Sequence, residues 1–311
     1  MKILRPPILQ PGDVIAVVSP GRWLAPDKIE SGCEILAGHS LQTRVSKQNF
    51  LRDHQFAGTD EERLRALNEA IRDPAVKAII CARGGYGCGR IADGIDCDAL
   101  SANPKIVIGY SDVTALLCHI HKHTGLVTFH GPMLYTFSRQ PTHLSISSFI
   151  RSVTAREPLS YHFSAGEIRV LRPGIGEGRL IGGNLSLISS SIGTSSAIDT
   201  RGAVLFIEDV DERLYRIDRM MLHLKRSGLL ENLAGLIVGE PVNFTDDDIP
   251  FGRQLDEIVL DYCRENTFPI ASNFPCGHGK SIITLPIGID VRLETSPDRG
   301  VTIQALTSAV C

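Results

Sequence analysis

Aromatic residues are scarce, at 6% of 311 residues, and Trp23 is the only tryptophan. That leaves few rings on which a nucleobase could stack. Nowhere do about 18 apolar residues run together, so no stretch reads as a membrane-spanning helix. Charge of one sign is not in excess either. Lys plus Arg number 32 against 35 Asp plus Glu, for a formal charge of −3, which gives no general attraction to nucleic acid or to an anionic membrane. The eight cysteines contain no CxxC pair, and several sit inside apolar runs where a reduced thiol packs as a small hydrophobe. In MKILRPPILQPGD, Pro6, Pro7 and Pro11 interrupt any apolar region of a secretion signal. Together these features point to a reducing, cytoplasmic setting. There is no internal repeat and no low-complexity segment.

What is present is enough apolar sequence, 43% of the chain, to bury a large core, and a length that suggests two domains. Short β-branched runs ending in Gly- or Ser-bearing loops and followed by helical spacing are the mark of βα units in a mostly parallel sheet. Three stand in the first half: residues 13–18 before Ser19-Pro20-Gly21, residues 76–82 before RGGYGCG, and residues 105–109 before Tyr110-Ser111-Asp112. Helices are expected over 60–72 and 112–123. Loops that follow strand C-termini gather where open α/β sheets bind ligands. Between about 138 and 178 the periodicity fades among Pro141, Pro158, Pro173 and RPGIGEGRLIGGN. The expected organisation is therefore an N-terminal α/β domain over 1–140, a connection over 141–175 and a C-terminal domain over 176–311. In the last, a buried strand over 203–207 leads into EDVDER, helical spacing covers 214–230, a strand returns at 235–239, and ITLPIGIDVRLETSPDRGVTIQ suggests a closing hairpin.

Several residues can carry chemistry. Ser111 lies on a turn between a buried strand and a helix, where it is either a nucleophile beside the backbone N–H groups of the helix start or, with Asp112, a helix cap. A strained G-x-S-x-G elbow would want a small residue two places on, and Val113 stands there. In CARGGYGCGR, glycines 84, 85, 87 and 89 permit close backbone approach, and Gly85 is a second candidate oxyanion donor; no G-K-[ST] follows, and G-x-G-x-x-G is not matched, so a nucleotide loop is disfavoured. Glu208, Asp209, Asp211 and Glu212 offer oxygen ligands for a metal, a single carboxylate to orient a histidine, or a solvated turn. His119 and His123 share a helix face without the Glu of H-E-x-x-H. His278, between Gly277 and Gly279, is free of side-chain crowding and is either an ordinary loop histidine or an imidazole placed over a site.

The blocks ARGGYG, IGYSDVTALL, FHGPM, GGNLSLI, LFIEDVDE, RIDRMMLHLKRSG and GHG, in this order, resemble the LD-carboxypeptidase family of serine peptidases, which includes the microcin C self-immunity peptidases. The resemblance runs from Val14 to about Val291. It implies an N-terminal mostly parallel α/β domain carrying the nucleophile, a smaller β-rich C-terminal domain, and an active site at their interface. It assigns Ser111 as nucleophile, His278 as general base, Glu208 as the group that orients it, and the N–H groups of Gly85 and Asp112 as the oxyanion hole, with no metal or cofactor. Val113 is no departure, because the family has the same D-x-T pattern after its serine. The implied activity is release of terminal D-alanine from muropeptide tetrapeptides in cytoplasmic wall recycling, by a homodimer. Arg83, Gly84, Asn184 and Lys280 are candidates for substrate binding because they flank the Gly-rich loops. Competing expectations are a peptidase of microcin-like aminoacyl-nucleotides, a non-catalytic ligand-binding α/β protein, and a Mg-dependent enzyme using Glu208, Asp209 and Asp211.

Overall fold

The computed structural model describes residues 2–311, and the chain forms two compact units. The first holds the residues through Glu157 together with Lys280–Gly288 and Ser308–Cys311. Its elements are β1 (Val14–Val18), α1 (Pro26–Ala37), β2 (Gln42–Val45), α2 (Asp60–Arg72), β3 (Val76–Cys81), α3 (Cys97–Ala102), β4 (Ile106–Gly109), α4 (Thr114–Thr124), β5 (Thr128–His130), α5 (Leu134–Phe137) and α6 (His143–Thr154). Strands β5, β4, β3, β1 and β2 lie side by side and parallel, and a late strand, Leu285–Ile287, adds antiparallel against β5. The central strands are apolar on both faces, with Ile15, Val17, Ile79, Ile80, Ile106 and Val107 all buried, as expected of a parallel sheet covered on both sides. Because β1, β3 and β4 are neighbours, the loops after them leave one edge together. Helix α2 begins on a reciprocal capping box between Thr59 and Glu62 and carries acid in its first turn and Arg72 in its last, which suits its dipole.

The second unit contains Pro158–Gly279 and Ile289–Thr307. It comprises β6 (Ser160–Phe163), β7 (Arg169–Arg172), β8 (Gly174–Asn184), α7 (Leu185–Ser191), β9 (Ala203–Glu208), α8 (Leu214–Arg226), β10 (Gly235–Gly239), α9 (Leu255–Tyr262), β11 (Ile270–Phe274) and, after β12 (the Leu285–Ile287 strand of the first unit), β13 (Asp290–Ser296) and β14 (Gly300–Ala305). The sheet order is β6-β14-β13-β8-β9-β10-β11-β7, parallel from β8 to β11 and antiparallel outside. Leu214, Ile217, Met221 and Leu224 form the buried stripe of α8, at the spacing of one helix face.

Two expectations fail in instructive ways. The stretch 141–175, read as a connection, contains α6, β6, β7 and the start of β8. Helix α6 hides its apolar stripe behind serines: Ser145, Ser148 and Ser152 are buried with Phe149 and Val153, and the Ser145 and Ser148 hydroxyls accept from the N–H groups of Ile282 and Thr284 at 3.0 and 3.1 Å. The Gly-rich segment after it is the 11-residue strand β8. A Cβ on Gly176, Gly178 or Gly182 would run into the carbonyl oxygens of Ala234, Gly202 or Phe206, so these glycines allow close backbone approach within the sheet rather than mark a linker. The expected closing hairpin also divides: β12 joins the first sheet, and only β13 and β14 pair as a hairpin in the second.

Candidate active site

Strand β4 ends at Gly109, Tyr110 is extended, and Ser111 turns the chain with φ +62° into a single 3-10 turn, Ser111–Val113, ahead of α4. An L-residue in this left-handed region is strained by about 1–2 kcal/mol. The turn can be this sharp because a Cβ on Gly109 would stand 2.7 Å from the Val113 side chain. The small residue that the elbow pattern demands after the serine is here supplied two positions before it. Neither Ser111 nor Asp112 caps the helix with its side chain, so the capping reading is set aside.

The glycine loop after β3 closes on this turn. A Cβ on Gly84 would lie 3.1 Å from Ser111 Cβ and 3.3 Å from its Oγ, so the buried Gly84 is the surface against which the hydroxyl sits. Gly85 follows at φ +105°, and a Cβ there would strike Arg22, so only glycine fits. Asp112, 3% exposed, accepts from the Cys88 N–H at 2.8 Å. Burial raises its pKa, while the Cys88 hydrogen bond opposes the rise. Its carboxylate also faces Gly21, so one side chain of the Ser111 turn lies against the loops after β1 and β3.

Sequence reading missed Arg63. This fully buried guanidinium, carried by α2, donates to the carbonyls of Pro20 and of Gly87 (3.0 Å for the latter) and pairs with Asp60. The signal was present: Arg63 stands in register with Ala66, Leu67, Ala70 and Ile71 on the helix's buried face, where a charge needs a partner.

In the second unit, Glu208 is the last residue of β9, with its side chain fully buried. Its Oε2 accepts from His278 Nδ1 at 2.7 Å. Burial lowers the His278 pKa, but the Glu208 charge and hydrogen bond, with Asp209 and Asp211, more than offset this, so the net shift is upward. Two neighbouring glycines are required by space. A Cβ on Gly277 would meet Glu208 Oε2 at 2.7 Å and one on Gly239 would meet Glu208 Cβ at 2.8 Å, while one on Gly279 would displace the Glu240 carboxylate.

The acidic run does not act as a group. Asp209 accepts from Asn184 Nδ2 at 3.0 Å and from the N–H groups of Ser186 and Val210, both at 2.9 Å; burial and the charge of Glu208 push it up to about 6. Asp211 accepts from Asn243 at 2.9 Å. Among the described residues, no three His, Cys, Asp or Glu side chains are gathered to hold a metal. The His119 and His123 rings lie against each other, tilted by 35°, with centroids 4.2 Å apart.

Of the substrate-binding candidates, Arg83 is half-buried, with its guanidinium 4.6 Å over the Tyr135 ring. Asn184 is buried; its Oδ1 accepts from Leu187 N and Ser186 Oγ as the cap of α7 while its amide holds Asp209. Lys280 is exposed.

A strained serine turn in one unit and a carboxylate-bound histidine in the other can be compared with known proteins. Residues 15–131 match the LD-carboxypeptidase N-terminal domain and residues 177–293 the LD-carboxypeptidase C-terminal domain. This chain belongs to the LD-carboxypeptidase family. It is a serine-type carboxypeptidase with a two-domain α/β fold. As an LD-carboxypeptidase family member it is 39% identical over 293 residues to the probable murein peptide carboxypeptidase of Bacillus subtilis, covering 94% of this chain and 92% of that one. Among solved structures it resembles MccF in complex with glutamyl sulfamoyl guanosine, at TM-score 0.89 and 28% identity over 99% of this chain and 100% of that one. It also resembles the muramoyltetrapeptide carboxypeptidase from Oxalobacter formigenes, at TM-score 0.83 and 29% identity over 94% and 98%. No helix among the described residues is long and apolar enough to cross a membrane.

Proposed function

We propose that the protein removes the terminal D-alanine from muropeptide tetrapeptides by cutting the meso-diaminopimelate–D-alanine bond, with Ser111, His278 and Glu208 as one triad, during cytoplasmic peptidoglycan recycling and as a homodimer. The 2.7 Å bond from His278 Nδ1 to the buried Glu208 carries the reading. A carboxylate accepts only, so Nδ1 bears the proton and Nε2 keeps a lone pair for the Ser111 hydroxyl. His278 takes that proton as Oγ attacks the scissile carbonyl. The N–H groups of Gly85 and Asp112 receive the oxyanion. The imidazolium, stabilised by Glu208, returns the proton to the departing amine of D-alanine, and water then cleaves the acyl-enzyme by the same base. Arg83 and Gly84 bind the C-terminal end of the substrate, with Asn184 and Lys280 as further contributors.

MccF makes an aminoacyl-nucleotide the alternative substrate. Trp23 speaks against stacking of a base here, since Arg52 covers its ring at 4.0 Å and its Nε1 donates to the His54 carbonyl at 3.3 Å. The test is mass spectrometry of the protein with L-Ala-γ-D-Glu-meso-diaminopimelate-D-Ala and, separately, with an aspartyl sulfamoyl adenosine. Release of D-alanine by the wild type and not by Ser111→Ala, unaffected by chelator, supports the proposal. Hydrolysis of the nucleotide alone transfers it to the other branch, and turnover of neither leaves a binding protein.

A further inference from the structure

Arg83 precedes Gly84, the residue that abuts Ser111, and Arg22 and Arg139 lie near it. Arg83 lies over Tyr135, whose backbone N–H donates to the Ala82 carbonyl at 2.9 Å and so holds the ring in place. Arg139 approaches the same ring, its guanidinium carbon 5.3 Å from the centroid and its Nη1 donating to the Tyr135 hydroxyl at 3.1 Å. Arg22 donates its backbone N–H to the Gly84 carbonyl at 3.1 Å, and its side chain fills the space beside Gly85.

The neighbouring Arg63 and Arg90 are both paired with Asp60. Arg22, Arg83 and Arg139 have no ion pair among the described residues. Burial lowers the Arg83 pKa; the nearby Arg22 and Arg139 lower it further, and Tyr135 opposes them. Three arginines without a counter-ion make a positive patch that attracts an anion, and the planar fork of arginine suits a carboxylate.

We propose that Arg22, Arg83 and Arg139 form a subsite for two carboxylates: the terminal carboxylate of the leaving residue, taken by Arg83, and a side-chain carboxylate of the residue before it, taken by Arg22 and Arg139. One carboxylate would leave two of the three charges uncompensated. The inference rests on the carboxypeptidase reading and adds that the enzyme selects meso-diaminopimelate over lysine at the penultimate position, since lysine is the same side chain without the acid.

The test compares kcat/KM for D-alanine release from two tetrapeptides that differ only in meso-diaminopimelate or L-lysine. The wild type is expected to favour the diacid by about 10- to 100-fold, the worth of one charge-assisted pair. Arg139→Gln and Arg22→Gln should bring that ratio towards one, Arg139→Lys should partly restore it, and Arg83→Gln should lower kcat/KM on both peptides. Equal turnover of the two peptides by the wild type, or equal loss on both in Arg139→Gln, would overturn the inference while leaving the carboxypeptidase reading intact. If neither peptide is cleaved, that reading fails. Calorimetric binding of both peptides to Ser111→Ala then decides the subsite, which stands only if the diacid binds more tightly and Arg139→Gln removes the difference.

Discussion

The Ser111 turn of the first unit and the His278 pair of the second are built by different means. Around Ser111 the geometry is held by backbone: a serine at positive φ, a glycine two residues before it, and a glycine loop pressed against its Cβ. Around His278 the geometry is held by charge, with a buried carboxylate 2.7 Å from the ring and further acids raising the histidine's pKa. Glycines serve both ends, but differently. Those beside Ser111 let main chain approach side chain, whereas Gly277 and Gly239 let main chain pass a buried carboxylate. Changes at the first end should therefore act through strain and position, and changes at the second through pH.

Ser111→Gly should show the largest effect. It removes the proposed nucleophile, so D-alanine release should fall by about 10⁴-fold or more, yet it relieves an unfavourable backbone conformation and should stabilise the fold by about 1 kcal/mol in chemical denaturation. Greater stability alongside lost activity would show that the strain belongs to the site. Glu208→Gln comes next, with kcat/KM down by about 10³- to 10⁴-fold. The free-enzyme acid limb, which in the wild type should lie above the ordinary histidine value because His278, as the proposed base, must be neutral, should move to lower pH in this variant. An unmoved limb would assign it to another group.

Gly84→Ala and Gly277→Ala form a matched pair. Neither glycine is at positive φ, so each new methyl group acts by contact alone, one on Ser111 and the other on Glu208. Each should lower kcat by about 10- to 100-fold, but only Gly277→Ala should also shift the acid limb. The smallest effect concerns Asp209. Its folded pKa of about 6 stands above the ordinary carboxyl value, so its contribution to stability is complete below that ordinary value and is lost as pH rises through about 6. His278, also raised, contributes below its ordinary value and loses that contribution as pH rises through the folded one. Activity thus begins where this stabilisation ends. Asp209→Asn should flatten the fall of the denaturation midpoint between about pH 4 and pH 7 and move the acid limb down by less than Glu208→Gln does.

The legible parts of the sequence were those with period and punctuation. Strands β1, β3, β4 and β10 and helix α2 follow from β-branched runs and helical spacing, and three loops at one sheet edge follow from the order of the βα units. What could not be read was carried by residues whose type misleads. The serines of α6 are buried on a helix face that hydrophobicity alone does not reveal, and the glycines of β8 are strand residues because neighbouring carbonyls occupy the space of their side chains. The strain at Ser111 is invisible in its spacing, since the compensating glycine precedes rather than follows it. Glu208 could be singled out from Asp209, Asp211 and Glu212 only by family resemblance. The structure gives the physical difference: Glu208 alone is at the strand end against His278, while Asp209 is held by Asn184 and Asp211 by Asn243.

The most direct test of the account is the rate of D-alanine release from the diaminopimelate tetrapeptide by Ser111→Ala, His278→Ala and the double variant. Members of one catalytic unit are not additive. Each single change should cost about 10⁴-fold and the double change no more than either; losses that multiply, or a His278→Ala protein as fast as the wild type, would show that the two residues do not act as one.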